Sequence, residues 1–186
     1  DYIAQDGEAI IGVDIAQPTG DYRLCAGTDC GTIIRVRPSG APTQRFIRRP
    51  ASLCERIRNS RDRKVCLERQ QSEEKRRAWE VSRIGGAYLA SRLTPLFEKG
   101  RTWREPLETM TVTYPFGIVR LFTRARTSKP YRISVHRGVD LRAPVGTPVA
   151  AIQRGRVALV AEDFMYEGNM IILDHGQGIF SLYLHL

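Results

Sequence analysis

His136 and Asp140 stand four positions apart in His136-Arg-Gly-Val-Asp140, and a further histidine, His185, lies in the closing segment Leu182-Tyr-Leu-His185-Leu186. An imidazole nitrogen and a carboxylate oxygen are two of the donors that Zn²⁺ accepts at about 2.0–2.2 Å. A third group such as His185 could orient or activate a water on that ion. The pattern points to zinc-assisted hydrolysis, with two ligands present and no third protein ligand in view.

The spacing constrains the backbone. In an extended strand, residues four apart share a face but lie roughly 13 Å apart, too far for both to reach one ion. The segment must curl, and Gly138 permits a positive φ, so a bent loop feeding a strand from Val139 onward is expected. A helix would also bring i and i+4 together, but Gly138, Pro144, Gly146 and Pro148 oppose one. Taken alone, the pair is also what a surface histidine beside a surface aspartate would give.

Four more motifs accompany it: Tyr114-Pro-Phe-Gly117-x-x-Arg120, Ala143-Pro-Val-Gly-Thr-Pro-Val-Ala150, Glu167-Gly-Asn-Met-Ile-Ile-Leu-Asp-His-Gly176 and Ser181-Leu-Tyr-Leu-His-Leu186. In order and spacing the set resembles the lysostaphin-type, or LytM-like, zinc metallopeptidases, which cut the peptide part of bacterial cell wall. The resemblance implies that His136 and Asp140 ligate zinc, that His185 is the active-site histidine, and that His175 is only a turn residue. Arg120 would hold a substrate carboxylate through its planar donor fork, or else make a structural ion pair. Tyr183, two residues before His185, would share its strand face and either line the groove or pack in the core.

The family continues to a Gly-rich stretch and a His-x-His motif that supplies the third ligand, and neither is present here. Catalytic zinc sites normally use three protein ligands plus water. The 186 residues are therefore expected to hold zinc weakly and hydrolyse little. Because Ile179 to Leu186 stops inside an apolar alternating run, a further C-terminal segment completing the site is expected. The resemblance thus implies a peptidoglycan endopeptidase. The alternative is a catalytically inactive LytM-like module that binds cell wall or activates a separate amidase; a third option is an extracellular β-sandwich protein with a chance His and Asp pair.

Composition is that of a globular chain, 42% apolar, with no run long enough to span a bilayer and no basic start followed by an apolar stretch. A periplasmic or secreted location with the signal already removed is expected. Four cysteines, Cys25, Cys30, Cys54 and Cys66, make an even count without Cys-x-x-Cys spacing, which favours disulfides over a zinc ribbon. Cys25 and Cys30 could bridge a hairpin around Gly-Thr-Asp, leaving Cys54 and Cys66 as the second pair.

The net charge of +9 raises nucleic-acid binding. The basic residues crowd into Arg45 to Arg83, but acidic residues are interleaved, and Arg69 with Glu73 and Glu73 with Arg77 read as i, i+4 pairs on a solvated helical face. No nucleic-acid partner is expected, and attraction to an anionic envelope polymer explains the charge.

The expected fold is mainly β, in three parts. Residues 1–46, with apolar runs such as Ala9 to Ile15 and turns at Pro18 to Gly20 and Pro38 to Gly40, form a small β-sandwich-like domain. Residues 47–105 form a helical linker: one helix from Ser52 to about Ser82, capped at Ser52 or Asn59-Ser60 and stopped by Gly85-Gly86, and a shorter one over Ala87 to Phe97. Residues 106–186 form an antiparallel LytM-type peptidase domain, incomplete at its C-terminal end, with strands at Thr109 to Tyr114, Arg156 to Ala161 and Asn169 to Leu173. Inhibition by the linker is a further expectation.

Overall fold

The computed structural model describes residues 20–26, 29–36, 44–48, 54, 57–124 and 130–186. The apolar run Ala9 to Ile15, the turn at Pro38 to Gly40 and the possible cap at Ser52 lie outside them. The described chain is ten strands and one α-helix, mostly antiparallel. It forms two compact units, each assembled from separate stretches of sequence.

One unit draws on residues 10–51 and 109–144. Strands β1 (Gly20–Ala26) and β2 (Asp29–Val36) pair antiparallel across a two-residue connection, with Cys25 opposite Cys30 in the backbone register. The bridge expected there concerns side chains outside the described ones. Strand β3 (Gln44–Arg48) runs parallel to β5 (Val119–Arg124), which pairs antiparallel with β6 (Pro130–Val135). Strand β4 (Thr111–Tyr114) pairs with the short β7 (Asp140–Arg142). The strand expected at 109–114 forms over 111–114, where its first three residues are exposed.

The other unit draws on residues 52–108 and 145–186. Its helix α1 (Ser60–Leu89) starts where Asn59 accepts from the amides of Arg61 and Asp62 at 2.9 and 3.4 Å, so the Asn59 cap is the one used. The helix does not begin at Ser52 or stop at Gly85-Gly86, and the shorter helix expected over 87–97 is absent. The reason is tertiary. Ile84 and Ala87 pack against Leu159, Ala161, Phe164, Met170 and Ile172, and that burial outweighs the roughly 1 kcal/mol that each glycine costs a helix. Past Leu89 the chain turns to follow the sheet, which no local signal dictates.

The sheet beneath is β10-β9-β8, with β8 (Arg156–Phe164), β9 (Gly168–Asp174) and β10 (Phe180–Leu184) all antiparallel. Aromatic contacts extend the seam between helix and sheet: Trp79 lies 5.8 Å from Phe164 and Tyr88 lies 5.0 Å from Phe180, ring to ring. Polar groups fix the tip of the β8–β9 hairpin. Glu80, fully buried, accepts from Arg76 at 3.0 Å, Arg77 at 3.4 Å and the Met165 amide at 3.0 Å. Arg77 also forks onto Glu167 at 2.6 and 2.8 Å, so it leaves Glu73, the partner its spacing suggests, for a carboxylate ninety residues away. The solvated pair Arg69 with Glu73 forms as expected, at 3.0 Å.

Cys54 and Cys66 form a disulfide that ties the segment before α1 to its second turn. In the chain-entropy account, opening a loop of this length costs about 3 kcal/mol. A Cys54→Ser, Cys66→Ser double variant should therefore melt several degrees below the parent, and reductant should lower the parent by more than it lowers the variant, which keeps Cys25 and Cys30.

Candidate metal-binding site

The β4–β7 ladder puts Tyr114 opposite Asp140, and two further backbone bonds, Gly117 N to His136 O and His136 N to Ile118 O, both 2.9 Å, hold the loop that follows β6. His136 leaves the end of β6 and Asp140 opens β7, as the spacing argument requires. The curl is made without a positive φ at Gly138, so the freedom that glycine offers there is not used.

The His136 ring is pinned at both nitrogens. Nδ1 lies 2.9 Å from the Pro115 carbonyl, which can only accept, so Nδ1 carries a proton, and the neutral tautomer that makes this bond presents a lone pair at Nε2. That Nε2 faces Asp140 Oδ1 at 3.3 Å. Two acceptors facing each other at this range call for a proton or a cation between them. Ligand atoms at about 2.0–2.1 Å from a tetrahedral ion sit about 3.3–3.4 Å apart, so the pair matches one edge of such a shell. The His136 side chain is 12% exposed and that of Asp140 56%, so the edge opens to solvent on the carboxylate side. The donors fit a zinc ion as two of its ligands. Among the described residues, no group of three His, Cys, Asp or Glu side chains gathers to hold a metal.

Tyr114 packs against His136 edge to face, with centroids 4.9 Å apart, and the Arg120 guanidinium lies over the Tyr114 ring at 4.8 Å. Sequence reasoning named Arg120 but missed Tyr114 as the ring that orients the histidine. The only hint was its place at the head of the Tyr-Pro-Phe-Gly motif.

His185 belongs to the unit that contains α1. It follows β10, is exposed, and has φ of 59°, so the alternation that would put it on one face with Tyr183 is broken. Its amide donates to Glu167 O at 3.0 Å. Tyr183 turns inward and accepts from the Ile152 amide at 2.8 Å.

His175 proves to be more than a turn residue. It is fully buried, with Nδ1 2.8 Å from the Arg154 carbonyl and Nε2 2.8 Å from Ser181 Oγ. The carbonyl fixes the tautomer, so the Ser181 hydroxyl donates to Nε2 and the Tyr183 hydroxyl, 3.2 Å away, donates to Ser181. The chain of bonds is complete and internal, which gives it a structural role. Beside it, Asp174 is buried. Burial would raise its carboxyl, but bonds from Ser91, Gly176 and Arg156 outweigh this and hold it below its ordinary value.

Residues 134–186 match the profile of peptidase family M23. The DD-carboxypeptidase/endopeptidase Mpg of Neisseria meningitidis is 35% identical over 91 residues, covering 49% of this chain and 20% of that protein. The peptidoglycan DD-endopeptidase ShyA of Vibrio cholerae is 36% identical over 55 residues, covering 30% of this chain and 13% of that protein. The chain thus spans a fifth or less of the length of these two relatives. A candidate peptidase M23 of Pseudomonas aeruginosa, known by crystal structure, superposes with a TM-score of 0.53 at 20% identity, covering 99% of this chain and 61% of that one, which is a likeness of fold. The motif resemblance and this match point the same way: residues 134–186 are similar in sequence to peptidase family M23.

Proposed function

We propose that this chain is part of a zinc-dependent peptidoglycan endopeptidase acting on cross-link peptides in the periplasm or outside the cell. The observation that supports it most is the 3.3 Å approach of His136 Nε2 to Asp140 Oδ1, with Nδ1 anchored on Pro115 O. Zinc, when bound, would polarise the scissile carbonyl and make bound water acidic. His136 and Asp140 are assigned as two of its ligands. The Pro115 carbonyl keeps the His136 proton on Nδ1, and the Tyr114 ring limits rotation of the imidazole. His185 is assigned the handling of protons at the reacting centre. Arg120 is assigned a substrate carboxylate, which would have to compete with the Tyr114 ring for the guanidinium.

A second reading is a non-hydrolytic module that binds cell wall or switches on an amidase. It is favoured by one observation, that no third donor joins His136 and Asp140 among the described residues. Zinc content by elemental analysis, together with release of soluble muropeptides from purified peptidoglycan, separates the two. The full-length protein should hold one zinc and release muropeptides, and His136→Ala should lower both by at least tenfold. Binding to peptidoglycan with neither zinc nor release would establish the second reading. Zinc retained by the variant would remove His136 from the ligand set.

A further inference from the structure

In the unit that contains α1, the segments 98–104 and 151–154 enclose a cleft of about 400 Å³, lined by Glu98, Arg101, Thr102, Arg104, Ile152 and Arg154 among others. Its walls are tied together. The Arg104 amide donates to Ile152 O at 2.9 Å, and Arg104 Nε donates to Ala151 O at 2.6 Å. Between the walls sits Gln153, 7% exposed, whose side chain donates to Arg101 O at 3.2 Å and accepts from the Arg154 amide at 2.8 Å. The cleft is a braced feature and not a gap between loose loops.

Its charge is unbalanced. Three guanidiniums line it against one carboxylate, Glu98, which Arg101 holds at 2.5 Å. Among the described residues Arg104 and Arg154 have no carboxylate partner. The Nε contact with Ala151 O anchors the Arg104 guanidinium while leaving its outer nitrogens free to donate. Like charges gathered in a concave site raise the local positive potential, and an anion relieves it.

We propose that this cleft binds the carboxylates of a short acidic peptide. Guanidinium forks match planar carboxylates through paired donors. The cleft falls within the roughly 300–1,000 Å³ typical of ligand sites, more than a bare inorganic anion needs. Thr102 and Ile152 offer a hydroxyl and an apolar edge to the rest of the ligand. Two uncompensated charges suit one or two carboxylates, whereas a more highly charged phosphate polymer would meet Glu98. The assignment goes beyond hydrolysis at His136 and does not depend on it, since every lining residue lies in the unit that contains α1.

The test is titration of the full chain with N-acetyl-Ala-Glu, with its bis-amide and with inorganic phosphate, followed through the arginine Nε–Hε NMR signals. The dicarboxylate should shift the Arg104 and Arg154 signals saturably, and the bis-amide should not. Arg154→Gln, whose parent side chain makes no bond to another of the described residues, should keep the fold and raise the dissociation constant on the order of tenfold. Arg101→Gln should weaken binding as well. No saturable shift, equal binding of the bis-amide, tighter binding of phosphate than of the peptide, or unchanged affinity in both variants would each overturn the proposal.

Discussion

Replacing Gly176 with alanine should destabilise the unit that contains α1 by about 3 kcal/mol or more, one of the two largest effects expected of a single substitution here. Gly176 sits at φ 82° in the turn between β9 and β10. A Cβ there would run into the Thr94 carbonyl oxygen and stand 2.9 Å from Leu96 N and 3.0 Å from Pro95 Cα. These are backbone atoms, so no side-chain rotation relieves the overlap. The opposing segment cannot simply withdraw. Leu96 N and Phe97 N donate to His175 O at 2.7 and 3.3 Å, Gln177 N donates to Arg92 O at 2.6 Å, and Ser91 Oγ bonds to Asp174 at 2.8 Å. Gly100→Ala is the control, since φ there is 71° with nothing within 4 Å of the new Cβ, and it should cost only about 1–2 kcal/mol. Thermal melts of the two variants would show the difference as roughly 5 °C or more. Equal losses would mean that the contact with residues 94–96 is not held in solution.

Glu80→Ala should cost about 3 kcal/mol. The carboxylate is fully buried on α1 and gathers three donors: Arg76, Arg77 and the Met165 amide. Removing one member of a buried ionic cluster typically costs about 3–5 kcal/mol. The lower end applies because Arg76 keeps Asp163 and Arg77 keeps Glu167. Acid should act on the same bonds. Burial pushes the Glu80 carboxyl up, but the Met165 amide and the two arginines outweigh it, leaving its folded value below the ordinary one. A group so shifted adds stability above its unfolded value, and that stability is lost as pH falls through the folded value. Asp174 is lowered in the same direction. Stability should therefore hold at neutral pH and fall steeply below about pH 4, the ordinary carboxylate range. Glu80→Gln, which retains an acceptor for Met165, should flatten that fall while costing less at pH 7. Denaturant melts from pH 7 to pH 3 decide it, and an unchanged acid slope in Glu80→Gln would show that the cluster does not control acid stability.

The motif pattern was legible in the sequence because it depends on residue type and short spacing. His136, Asp140 and the motifs around them carried the resemblance to the family's pattern, and the strands expected at 109–114, 156–161 and 169–173 form over 111–114, 156–164 and 168–174. Asn59 was legible as a cap because capping is a local bond between a side chain and amides two and three residues on. Long-range burial was not legible. Gly85 and Gly86 read as a stop, yet Ile84 and Ala87 carry the helix past them because their partners lie on β8 and β9. Arg77 spaced for Glu73 chooses Glu167, and Glu80, one more charge in a solvated run by sequence, becomes a buried anchor once the β8–β9 hairpin supplies the Met165 amide. His175 likewise passes from turn residue to the middle of a buried chain of bonds. In each case the sequence by itself determined which groups could ionise, ligate or cap. Tertiary structure alone decided which of them lost water and to whom they bonded, because desolvation depends on partners, some of them ninety residues away, that no local pattern encodes.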